Sequence, residues 1–253
     1  MAKEWYLMKP TTLGGFENAE FDGWHTTFET DILTSFAATD VLIYGDRMTN
    51  EPREIRAVVQ ASTEDSYNQM KVRQILCSIG NIVCGDLLFI EDRWWIVISL
   101  VDNNGVYEKA ILYYCNVMLN LTSPITLETV TYPVCVHNAT QYNSGERERD
   151  YMRITSSQRL IYFPCNEETV VLDNDYRFMI DRNLRAPSVW KVAQADTEND
   201  AWDGHGIMRI MAVEDETGPD DNAELMLADN TKWLSEKGFS ENKNPGGGWV
   251  MEY

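Results

Sequence analysis

Apolar and polar positions alternate through much of this 253-residue chain. The alternation has period two, so it sets out strands rather than helices. Residues 40–44 and 55–60 are β-rich runs, and the polar stretch 45–54 between them contains Pro52. That arrangement predicts a long hairpin. After polar residues 61–70 the alternation resumes over 71–77. The clearest signal is 85–120. Residues 85–90 predict a strand and 91–93 a short turn. Residues 94–101 are apolar on both faces, which predicts a central strand. Trp95 and Val97 face inward in one register, Trp94 and Ile96 in the other. Asp102-Asn-Asn-Gly105 is a turn signal, because Asn and Gly tolerate positive φ. Residues 106–116 return as a third strand, with Tyr107 assigned to the core. Together with the earlier hairpin this meander predicts a small, SH3-like β-barrel, whose closure leaves no sticky edge.

The rest of the chain organises around that barrel. Residues 1–35 are aromatic but irregular, with Gly14, Gly15 and Gly23 among Trp5, Tyr6, Phe16, Phe21, Trp24 and Phe28. They predict an extended aromatic arm that packs on another surface. The barrel domain is placed at 36–122, with a boundary near 121–124. Short β-rich runs follow at 126–137, 150–155, 158–163, 168–172, 176–180, 188–194 and 206–213. Turn residues separate them at 143–145, 173–174 and 203–204. This spacing predicts a β-sandwich-like domain over 123–232. Residues 223–233 are assigned one short helix. The polar stretch 233–253, with glycines at 246–248, is expected to be flexible or ordered by a partner. The fold class is therefore mainly β, with few short helices.

Composition sharpens this. The chain is 44% hydrophobic and carries eight Trp, twelve Tyr and eight Phe, which suits half-buried pleated surfaces. Its net charge is −19, from 21 basic and 40 acidic residues. Such a surface repels phosphates and anionic membranes, so ordinary nucleic-acid or membrane binding is disfavoured. The apolar run 94–101 is far too short to span a bilayer, and the first ten residues do not resemble a signal peptide. Five cysteines stand at 77, 84, 115, 135 and 165. An odd count with no CxxC pair fits free thiols in a reducing cytoplasm better than zinc or disulfides.

No catalytic, metal or cofactor constellation emerges. His25, His137 and His205 lie in no metal or triad spacing, and nucleotide-binding and hydrolase motifs are absent. Asp196-Thr-Glu198-Asn-Asp200 alternates oxygen ligands but lacks the central glycine and closing glutamate of a calcium loop. The reading is a non-enzyme with no cofactor. Arg47, Arg53 and Arg56 flank the hairpin, each beside an acid at Asp46, Glu51 or Glu54, which reads as a solvated mixed-charge hairpin. A connection this long in a compact domain also tends to be used. Arg47, Arg53, Arg56, Glu51 and Pro52 are therefore the candidate subunit-contact or channel-loop residues.

Residues 85–116 read GDLLFIEDRWWIVISLVDNNGVYEKAILYYCN. A Gly-Asp leads into a strand, a Trp-rich strand ends in Ser, and a Tyr-Glu-Lys-Ala strand closes on Cys-Asn. Further on, LIYFPCNEETVVLDNDYRFMID and PDDNAELMLADN continue the pattern. In this order the fragments resemble neck (head-closure, head–tail connector) proteins of tailed bacteriophages infecting Gram-positive bacteria. The resemblance implies a structural subunit of a ring beneath the portal. Such a ring retains or channels packaged DNA and offers the tail a docking surface. It implies a homo-oligomer, six-fold favoured over twelve-fold, touching portal or adaptor and tail proteins. DNA passes non-specifically through the lumen, and the location is the virion neck, assembled in the host cytoplasm. The alternatives are another virion protein of the tail or baseplate, then a carbohydrate-binding β module, and last a hydrolase using paired carboxylates.

Overall fold

The computed structural model describes residues 23–61, 71–138, 158–180, 187–197, 201–202 and 205–239. The features assigned above to 1–22, 143–145, 150–155, 198–200, 203–204 and 240–253 lie outside them. The chain divides into two compact units. The first runs to Cys115 and takes in His205–Ile207; the second comprises Asn116–Gly204 and the residues from Met208 on.

The first unit is a closed antiparallel barrel. Its strands are β1 (Ala38–Gly45), β2 (Arg53–Ala61), β3 (Val72–Cys77), β4 (Leu87–Ile90), β5 (Arg93–Val97), β6 (Asp102–Asn103) and β7 (Glu108–Tyr114). They follow the order β3-β2-β1-β4-β5-β7-β6, and β3 pairs β7 to close the ring. Alternation places Val41, Ile43, Ala57, Ile75, Leu88, Ile90, Trp95, Val97, Ala110 and Leu112 in one buried interior. The register Leu88↔Trp95 and Ile90↔Arg93 fixes which face of the central hairpin turns inward. The β4–β5 turn is two residues, Glu91 and Asp92, both at positive φ, the geometry that matches strand twist. β5 stops at Val97, short of the predicted 101. Just beyond it, Ile111 N–H turns to the Ser99 hydroxyl at 2.9 Å.

Part of the predicted extended arm is helical. Residues 23–27 form α-helix and run into a π-helical turn, Phe28–Ile32. Phe28 and Leu33 are buried with Ala38 and Val106, against Val58, Leu76 and Tyr107. The register Ala38↔Val58↔Leu76 puts this row on the outer face of the barrel. The pattern looked irregular because the segment covers a barrel wall with two side chains rather than a continuous stripe.

The second unit is built on one sheet: β8 (Val117–Thr122), β9 (Thr129–Asn138), β10 (Gln158–Cys165), β11 (Arg177–Met179), β12 (Val189–Asp196), β13 (Ala201–Trp202) and β14 (His205–Asp215), whose first three residues count with the first unit. The order is β11-β12-β14-β10-β9-β8, with β13 on β14. The sheet curls until its end strands β8 and β11 approach. Tyr176 Oη donates to Thr122 O at 2.8 Å across that approach. Leu119, Leu121, Tyr132, Ile161, Phe163, Phe178, Trp190 and Ile210 fill the interior. A sandwich-like interior is thus built from a single barrel-like sheet. Residues 117–122, assigned to the first domain by sequence, pair with β9 here.

Two other elements differ from the sequence reading. Residues 168–172, predicted as a strand, form a turn. Asn166 Oδ1 accepts the N–H groups of Glu168 and Thr169, both at 3.0 Å, and Thr169 Oγ1 donates to Pro164 O at 2.7 Å. These side-chain bonds outcompete a ladder. The predicted helix at 223–233 is displaced to α1 (Thr231–Glu236). Asn222 Oδ1 accepts from Glu224 and Leu225 N–H at 3.1 Å and holds the earlier stretch in a turn. Trp233 is buried and stacks on Phe239 at 5.9 Å, so the start of the predicted tail belongs to the second core. All five cysteines are buried, with no disulfide among them.

Candidate functional site: the loop end of the first barrel

Antiparallel pairing sends three connections to one end of the first barrel. β1, β3 and β5 finish there, and β2, β4 and β7 start there. The registers Ile43↔Arg53, Gly45↔Leu87, Leu87↔Ile96 and Cys77↔Glu108 fix this. The loops are residues 46–52, 78–86 and 98–107.

Each loop is held by its own polar groups. Gly45 turns the chain at φ 70°, and Asn50 Nδ2 donates to Tyr44 O at 2.9 Å and to Asp46 Oδ1 at 3.2 Å. In the second loop Asn81 is the anchor. Its N–H donates to the buried carboxylate of Glu108 at 3.2 Å, and its carbonyl accepts from the Arg53 guanidinium. Val83 N–H donates to Asp86 Oδ2 at 2.8 Å. Gly85 N–H to Val97 O (2.8 Å) and Val97 N–H to Asp86 O (3.0 Å) lace this loop to the end of β5. In the third, Asn104 Oδ1 accepts from Val106 and Tyr107 N–H, both at 3.0 Å. Three separate loops thereby form one ordered surface.

Its electrostatics are acidic. Asp46, Glu51, Asp86 and Asp102 stand in the loops against Arg47 alone. Burial pushes the Asp86 carboxyl up to about 6, opposed by the Val83 N–H bond and the Arg53 charge. Burial, reinforced by the Glu108 carboxylate, pushes the Cys77 thiol up to about 12. A thiol held protonated is a poor nucleophile, so Cys77 serves packing.

The structure separates the candidate residues. Arg47 faces Asp46 at 3.9 Å, and Glu51 and Pro52 are exposed on the hairpin. Arg53 is at the base, engaged with Asn81 O. Arg56 lies elsewhere, on the outer wall. Its Nε donates to Leu33 O at 2.9 Å, and its terminal nitrogens reach Ser35 O (3.1 Å), Ala38 O (2.9 Å) and the Asp40 carboxylate (3.1 Å). Arg56 therefore ties the helical segment to its own barrel. Trp95 and Val97 are interior. Trp94 is half-buried outside the barrel between Tyr44 and Phe89, with ring centroids 4.8 and 5.1 Å away. Tyr107 is half-buried against Phe28 at 5.2 Å. These two pack on the outer wall rather than inside, because β-strand alternation gives one face to each side.

Of the histidines, His25 lies 3.7 Å from Glu29, and His137 Nε2 lies 3.1 Å from Cys135 Sγ. Among the described residues no three His, Cys, Asp or Glu side chains are placed to hold a metal ion, and no helix is long and apolar enough to cross a membrane.

Sequence reasoning missed a polar knot in the second unit. Arg177 donates to both oxygens of Asp221 and to Asp215, each at 3.0 Å, and to Glu216 O at 2.7 Å. Asp221 also accepts N–H groups from Gly218 (2.6 Å) and Asp229 (2.7 Å), and Asn230 clasps the Arg177 backbone at 2.7 and 2.8 Å. The sequence alone assigns Arg177 and these carboxylates no partner. Only the order Arg-Phe, then Asp-Asn, then Ala-Asp hinted otherwise.

Residues 18–113 match the family model described as the YomX N-terminal domain, a phage-derived family. The match covers the helical segment and nearly all of the first barrel, and it points to a phage protein. No curated protein and no solved structure matches the chain.

Proposed function

We propose that this chain is a structural, non-catalytic subunit of a tailed-phage neck, part of a homo-oligomeric ring between portal and tail. The observation that carries the reading is the phage-family match over the first barrel. The fragments that resemble neck proteins support the finer assignment, because they are the residues that build the two units. GDLLFIEDRWWIVIS forms β4 and β5, YEKAILYYCN forms β7, and Arg177, Asp221 and Asp229 form the knot. A charge of −19 suits a conduit, since DNA slides past like charge without adhering. Closed rings arise from heterologous interfaces, and six copies are favoured over twelve. The portal or adaptor and the tail are the partners, and the virion neck is the location.

Disrupting the gene in a phage that carries it tests this. The expected particles are heads without tails that lose their DNA. Tailed, DNA-filled, infectious particles would contradict it.

A further inference from the structure

The loop end exposes apolar side chains as well as acids. Ile79 is 39% exposed, Val83 58% and Leu100 78%. Val83 and Leu100 stand on the two loops laced together through Gly85, Asp86 and Val97. Ile79 stands beside Asn81, which Glu108 and Arg53 hold. The side chains are thus presented on fixed backbone, so ordering them on binding costs little. The same loops carry Asp46, Glu51, Asp86 and Asp102 against Arg47, with Arg53 at the base of the hairpin.

We infer that this end of the first barrel is a docking surface for a different protein, one presenting an apolar patch rimmed by Lys and Arg. The inference rests on the reading of the chain as a particle subunit and names the kind of neighbour it meets. Charge selects the occupant. Nucleic acid is repelled by the acidic loops. A second copy meeting this end with its own loop end would bring the same acidic loops, so like charges would meet. A basic rim removes that repulsion and fixes register, while the apolar centre supplies the affinity.

Site-specific photo-crosslinking in infected cells tests it. Benzoylphenylalanine replaces Leu100, with Lys232 in the second unit, also exposed, as the control position. The expected adduct from position 100 joins another polypeptide, and the crosslinked peptide carries apolar residues with an excess of Lys and Arg. Val83→Asp combined with the position-100 probe should cut its yield about tenfold, as loss of one buried aliphatic contact implies. The variant should melt with the parent, since Val83 is exposed. An adduct to a second copy, to DNA or to an acidic peptide overturns the inference, as does no adduct at all. Imaging where the chain sits in the particle reads the neck assignment separately. A neck location without the adduct sinks the docking surface alone, and the adduct in tail fibres sinks the neck alone.

Discussion

The two units reach closure by different means. The first closes by backbone pairing, β3 against β7, around an interior that is almost wholly apolar. The second brings β8 and β11 together through side chains. Tyr176 reaches Thr122, and Asn120 Nδ2 reaches Leu225 O at 2.8 Å. It fixes the neighbouring loop with the Arg177–Asp221 knot, and it buries a polar trio in which Tyr132 Oη donates to Glu168 at 2.7 Å and accepts from Asn166 at 3.2 Å. Apolar packing tolerates substitution of similar volume, whereas a buried polar network fails when any member is left unpaired. The first unit should therefore yield to loss of volume and the second to loss of single atoms.

The largest effect is expected at the knot. The Asp221 side chain is fully buried, and its removal strips Arg177 of a bidentate partner and leaves two N–H groups unsatisfied. Asp221→Ala should cost about 3–5 kcal/mol in denaturant unfolding. A loss under about 1 kcal/mol would mean the knot is solvated decoration.

In the barrel, Trp95→Ala should cost a similar amount by a different route, about 3–5 kcal/mol of lost packing. Trp95→Phe discriminates between the routes. Among the described residues the buried indole Nε1 has no hydrogen-bond partner, so replacing it removes an unsatisfied donor along with some volume. The expected loss is about 1 kcal/mol. If Trp95→Phe costs as much as Trp95→Ala, the indole N–H has a partner and the apolar account of this unit fails.

Tyr132→Phe keeps the ring and deletes only the hydroxyl, leaving Glu168 and Asn166 each short of a bond. About 1–3 kcal/mol should be lost. An unchanged midpoint would erase the contrast between the two interiors.

The smallest effect concerns acid at the loop end. The Asp86 pKa is raised in the fold to about 6 from 3.8. Its contribution to stability is thus complete below pH 3.8 and is lost as pH rises through about 6. Asp86→Asn keeps an acceptor for Val83 N–H and cannot ionise. It should be more stable than the parent at pH 7, with the difference shrinking towards pH 4. Parallel stability curves for the two proteins across that range would contradict the buried placement.

The same contrast explains what was legible in the sequence. Period-two alternation over 40–44, 55–60 and 71–77 and the meander of 85–116 encode the barrel's strands, because each strand's face is a local property. The run 94–101 is apolar on both faces, so only the register Leu88↔Trp95 decides which of Trp94 and Trp95 turns inward. The hairpin at 45–54 and the turn at 91–93 were legible from their polar composition. The knot was not. Arg177 and Asp221 are 44 residues apart, and nothing local marks two charged residues as partners. The turn at 166–169 was missed because apolar Val170, Val171 and Leu172 favour a strand until Asn166 captures the preceding N–H groups. At the loop end, three loops converge through sheet topology, so Arg53 read as a partner of nearby hairpin acids when it holds the Asn81 carbonyl. On the outer wall, Arg56 likewise reaches carbonyls of Leu33, Ser35 and Ala38 that lie 18 to 23 residues away in sequence.

An asymmetric electron-microscopic reconstruction of intact virions tests the proposed ring at the phage neck most directly. The expected density is both β-barrel units in a closed ring on the particle axis between portal and tail, with the acidic first barrel offering its 46–52, 78–86 and 98–107 loops to a basic neighbour. The same units found in the capsid shell, in a tail fibre or in no part of the particle would contradict it.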